Sequence, residues 1–74
     1  MGAPADEYAV TATVRYAARQ RGGEWYVVRQ VWKSEGGWWS QLHRQHAARD
    51  AGHARGMAST LAQREMEYLE GRKR

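Results

Sequence analysis

His43, His46, Asp50 and His53 are the residues of this chain best suited to holding a metal. On a continuous helix, steps of three and four residues place them on one face. Imidazole nitrogens with a carboxylate can bind a divalent ion such as zinc. That reading requires a helix through residues 40–50. Its plain counterpart is a solvated polar face. A second set is Arg15, Arg19, Tyr26, Gln30 and Trp32. On a twisted two-stranded ribbon they project from one face. Arginines there would read guanine or hold phosphate, glutamine would pair with adenine, and rings would stack on unpaired bases. The plain counterpart is that Tyr26, Val28 and Trp32 are buried against a helix or in a dimer interface. Acid–base chemistry is poorly served. Glu24 and Glu35 fall in turns and Glu65, Glu67 and Glu70 late in the chain. No nucleophile elbow, phosphate loop or zinc-protease motif occurs. No enzyme and no cofactor are expected.

The totals narrow the partners. A 74-residue chain makes one domain with a small core. With no cysteine, it has neither a disulfide nor a thiolate metal site. Four tryptophans and four tyrosines supply bulk instead. A second copy of the chain would also cover apolar surface, so a homodimer stays open. The net charge is +4 and the pI about 10.0. Lys33 and Lys73 are the only lysines, so arginine carries most of the positive charge. A basic domain fits nucleic acid or an acidic protein surface. The same charge also serves solubility alone. No apolar run reaches the ~18 residues of a membrane span. Residues 1–7 lack the marks of a signal peptide. A cytoplasmic protein is expected.

Any such site depends on a β-hairpin. From Tyr8 to Arg19 the residues alternate as in a half-buried strand, and Glu24 to Trp32 is equally strand-like. Gly22-Gly23 between them fits a type I′ turn, which needs positive φ twice. That loop sets Arg21 opposite Glu24, Ala18 opposite Val27, Tyr16 opposite Arg29 and Val14 opposite Val31. A three-residue loop would instead set Arg15 opposite Arg29, a like-charge pair, so the first register is preferred. Val10, Val14, Ala18, Val27 and Val31 then form the core face. Ser34-Glu35-Gly36-Gly37 is a second turn. Trp38–His43 reads as a short third strand, with a helix capped by Ser40 as the competing reading. A helix starts at Asp50, its N-cap, and presents Ala51, Ala54, Ala58, Leu61, Ala62, Glu65 and Leu69 to the sheet. Gly52 and Gly56 would allow close approach of its backbone, and Gly71 would stop it.

At the level of pattern, three strands and a helix resemble the arm-binding domain of phage integrases and the plant ethylene-response-factor domain. In those families a Gly-Lys/Arg-Trp turn opens the second strand. Gly23-Glu24-Trp25-Tyr26-Val27-Val28-Arg29 is similar, as is the Ala-rich Ala47-Ala48-Arg49-Asp50-Ala51 at the helix. Glu24 stands where a basic residue is expected, the third strand lacks β-branched residues, and the 74 residues include no recombinase domain. The resemblance implies DNA contact by the sheet, with Arg15, Arg29 and Trp25 at or beside it.

The expected architecture is α+β: an antiparallel hairpin, extended to a three-stranded sheet, packed on one C-terminal helix. Residues 1–7 form a flexible arm, 8–71 the domain and 72–74 a basic tail. The expected function is a small non-enzymatic nucleic-acid-binding module using Arg15, Arg19, Tyr26, Gln30, Trp32 and Arg29. The alternative is a phage-type inhibitor or adaptor that binds a protein through the same arginine and aromatic surface.

Overall fold

A computed structural model describes residues 5–72. Four strands precede one helix: β1 (Glu7–Thr11), β2 (Val14–Arg21), β3 (Glu24–Lys33), β4 (Gly37–Ala48) and α1 (Ala51–Arg72). The strands pair antiparallel in chain order, β1-β2-β3-β4. The class is therefore α+β, with one strand more than the three expected.

The extra strand lies inside the run expected to be continuous from Tyr8 to Arg19. The chain reverses at Ala12-Thr13 and pairs Thr11 with Val14. The Thr11 hydroxyl accepts a hydrogen bond from the Thr13 backbone N–H at 3.1 Å, a side-chain-closed turn that needs no glycine. Beyond an irregularity at Val10, Tyr8 faces Tyr16 and Ala9 faces Arg15. Even positions thus meet even positions, and alternation runs unbroken through a reversal that it cannot report.

The β2–β3 register is the expected one. Arg21 lies opposite Glu24, Ala18 opposite Val27, Tyr16 opposite Arg29 and Val14 opposite Val31. Gly22 and Gly23 have φ of 57° and 85°, which suits a type I′ turn. The stretch after the second turn is strand, and longer than Trp38–His43. It reaches Ala48 by way of a bulge. Adjacent Val28 and Arg29 pair with Gln45 and Gln41, so Leu42, His43 and Arg44 are looped out. The helical reading of residues 40–50 is excluded.

Asp50 caps α1. Its Oδ1 accepts from the His53 N–H at 2.8 Å, while His53 Nδ1 accepts from the Arg49 N–H at 3.0 Å. The helix lies on the sheet through Ala54, Ala58 and Ala62, all buried. Facing them are Val10, Tyr16, Ala18 and Val27, with Val14, Trp25, Met57, Leu61, Met66 and Leu69 around the rim. Small helix residues thus meet the bulk of the sheet. Gly52 and Gly56 are not part of this contact and are exposed. Val27 and Ala58 are wholly buried, as expected; Val14, Val31 and Leu61 are half-buried. Gly71 sits within α1 and does not end it, and Arg72 belongs to the helix.

Part of the expected arm is structured. The Asp6 carbonyl accepts from the Ala18 N–H at 2.7 Å, and Arg55 Nε donates to Asp6 Oδ1 at 2.8 Å. Residues 1–4, 73 and 74 lie outside the described residues. No helix among those described is long and apolar enough to cross a membrane.

Candidate functional site

Pleating assigns the side chains of each strand to two faces. On β2 and β3 the residues in register with Tyr16, Ala18, Val27 and Arg29 face α1. Arg15, Ala17, Arg19, Tyr26, Val28, Gln30 and Trp32 face the other way. Five of the six binding residues expected from sequence therefore share the face without a helix. The sixth, Arg29, points toward α1. Trp25, implied by the integrase resemblance, also packs against the helix core.

Among the described residues no element covers the open face, yet its centre is closed. Ala17 is 0% exposed and Val28 1%. Neither belongs to the helix-side cluster. These small side chains form a floor screened by larger neighbours, and the functional groups divide between its two ends.

At one end a rung crosses three strands. Arg15 lies opposite Gln30, and Gln30 opposite Ser40. Arg15 Nε donates to Gln30 Oε1 at 2.8 Å, and Gln30 Nε2 donates to Ser40 Oγ at 3.1 Å. Gln30 is only 6% exposed. Its amide is thus engaged at both ends, by Arg15 and by Ser40. The Arg15 guanidinium lies over Trp38, 4.1 Å from the ring centroid. Trp38 in turn meets Trp32 edge to face, with centroids 5.7 Å apart and planes at 67°. Trp32 remains 49% exposed. Burial lowers the Arg15 pKa somewhat from its usual value, with Glu7 pulling it up and Arg19 pushing it down.

At the other end Arg19 is opposite Tyr26. Arg19 Nη1 pairs with Glu7 Oε2 at 2.6 Å and donates to the Ala18 carbonyl at 3.0 Å. Arg21 lies over the Tyr26 ring at 5.6 Å. Trp38, Ser40 and Arg21 were not among the expected site residues. The third-strand reading contained the signal for two of them, since pairing Lys33 with Gly37 sets Trp38 beside Trp32 and Ser40 beside Gln30.

The helix side carries a polar network that sequence reasoning missed. Arg29 grips Glu65 in a two-pronged pair, Nη2 to Oε2 at 2.8 Å and Nε to Oε1 at 3.0 Å. Its third nitrogen, Nη1, donates to Gln41 at 2.6 Å. The Tyr16 hydroxyl donates to Glu65 at 2.8 Å and accepts from Arg44 Nη2 at 3.1 Å. The Arg29 hydrogen bonds hold the Glu65 carboxyl below its ordinary range. The same bonds raise the Arg29 pKa. Burial, reinforced by Glu65, pushes the Tyr16 phenol up. Arg64, Tyr68 and Arg72 help line a cleft of about 480 Å³ beside this network.

The four residues of the candidate metal set do not converge. His43 sits in the β4 bulge, His46 on β4, and Asp50 and His53 cap α1. Among the described residues no group of three metal-ligating side chains occurs. No family model, curated protein or solved structure matches this chain.

Proposed function

We propose that this protein is a small non-enzymatic nucleic-acid-binding module that uses the sheet face turned away from α1. One observation carries the reading: that face holds arginines in contact with half-buried rings around a closed floor, with the exposed Trp32 ring beside them. Arg15 rests on Trp38, Trp32 stands beside them, and Arg21 rests on Tyr26. Guanidinium groups neutralise phosphate while ring faces take bases without sequence preference. The net charge of +4 favours the same partner.

A protein partner is the second reading. Trp32, Trp39 and Leu42 are 49%, 51% and 72% exposed. Such side chains suit the centre of a protein interface, as in an inhibitor or adaptor.

Salt separates the two. Fluorescence anisotropy with labelled random single strands and duplexes, at low and moderate salt, is the measurement. Binding should weaken steeply as salt rises, because neutralised phosphates release counterions. Trp32→Ala should weaken single-strand binding by ~1–3 kcal/mol through lost stacking. No binding to either probe, with a specific protein captured from nuclease-treated lysate, refutes the nucleic-acid reading.

A further inference from the structure

Arg15 takes no part in the ion pairs among the described residues, which involve Arg19, Arg29 and Arg55. It is nonetheless half-buried and fixed in place. Nε is spent on Gln30 at 2.8 Å, and the guanidinium lies over Trp38 at 4.1 Å. Gln30 cannot turn its amide round. Arginine has no acceptor, so only the glutamine oxygen can face it, and the amide nitrogen is left for Ser40 at 3.1 Å. A partly desolvated cation with no carboxylate in salt-bridge contact is costly, and one locked on two sides has also lost its side-chain entropy. The arrangement leaves one functional edge, the Nη1/Nη2 pair, which donates to no protein atom among the described residues.

We propose that this edge reads a guanine: Arg15 donates from its two terminal nitrogens to O6 and N7 of an unpaired guanine, and Trp32 packs on that base or its neighbour. This rests on the nucleic-acid reading of the open face. Phosphate contacts position a protein and tolerate a mobile, solvated cation. Telling one base edge from another requires a donor pair held in orientation, which the Gln30–Ser40 rung and Trp38 supply. Guanine presents two acceptors on one edge that match such a fork. Trp32, half exposed beside the fork, gives a platform that a splayed base can reach and a stacked one cannot.

The test uses the full chain and labelled oligothymidylates with one central guanine, 7-deazaguanine or adenine. Deazaguanine lacks only the N7 acceptor. The guanine strand should bind about tenfold tighter than the other two. Arg15→Lys keeps the charge and loses the fork. It should bind all three strands alike with the salt dependence preserved. Ser40→Ala should reduce the preference in part, by freeing the Gln30 amide. Equal affinity of the wild type for the three strands overturns the inference and leaves the proposed function standing. A guanine preference that survives Arg15→Lys also overturns it. Failure to bind any of these strands overturns it too, and failure to bind the random duplex as well overturns the proposed function. Should Arg15→Lys fail to fold by circular dichroism, the deazaguanine comparison on the wild type decides alone.

Discussion

Glu65→Gln is the most informative single change on the helix side. Glu65 ties α1 to β2 through Tyr16 and to β3 through Arg29. The two charged side chains are 16% and 18% exposed. Breaking a fully buried pair costs ~3–5 kcal/mol, whereas exposed pairs contribute ~0.2–1. With about four-fifths of each side chain shielded, the loss should be ~2–3 kcal/mol. Glutamine can still accept one bond but cannot answer both prongs of Arg29. Small domains hold only ~0.05–0.15 kcal/mol per residue, so this is a large share of the total. Urea unfolding followed by tryptophan fluorescence at pH 7 should show the midpoint falling by about 2 M, given m near 1 kcal/mol/M. Acid provides a second check. The Glu65 carboxyl is lowered in the folded state, so its contribution is full above the unfolded value of ~4.3 and is lost as pH falls through the folded value. The gap between wild type and variant should therefore close on acidification. A gap under ~0.5 kcal/mol at pH 7, or one unchanged at pH 3, would refute the reasoning.

Tyr16 should ionise above the ordinary phenol range. Its folded value is raised, so its contribution is full below the unfolded value of ~10 and fades as pH rises through the folded one. The absorbance difference at 295 nm between wild type and Tyr16→Phe should appear only beyond that range. The Gly22→Ala, Gly23→Ala double variant should lose roughly 2–4 kcal/mol from backbone strain alone, because both added Cβ atoms meet open space. An unchanged melting temperature would exclude a type I′ loop. Ala58→Leu should destabilise by ~1–3 kcal/mol or more through overpacking, while Ser59→Ala, on the exposed side, should be nearly neutral. Equal effects would mean that α1 is rotated from its place.

Much of the sheet was legible because its signals are local. Gly22-Gly23 dictates a turn, the turn dictates the register, and the register places Arg15, Arg19, Tyr26, Gln30 and Trp32 together. Ala12-Thr13 was not legible, because a threonine-closed turn carries no Gly or Pro and the alternation survives it. Arg29 shows a different limit. Periodicity gives its face correctly, but basic character argues for solvent, and only Glu65, thirty-six positions away, accounts for a charge against the helix. Gln30 lies on the expected face, but its hydrogen bonds to Arg15 and Ser40 were not legible in the alternation. A strand pattern reports direction, not the partners met there.

The alanine face of α1 has a consequence for how this protein responds to mutation. Ala54, Ala58 and Ala62 are already the residue to which a truncation scan would change them. An alanine scan would therefore pass silently along these three positions and register only Glu65, the rim residues Met57, Leu61, Met66 and Leu69, and the sheet beneath. The centre of the helix contact would look dispensable while being its least adaptable part, since Ala54, Ala58 and Ala62 cannot be shortened except to glycine. Replacement by larger residues exposes the constraint instead, and tolerance there should follow side-chain volume rather than hydrophobicity.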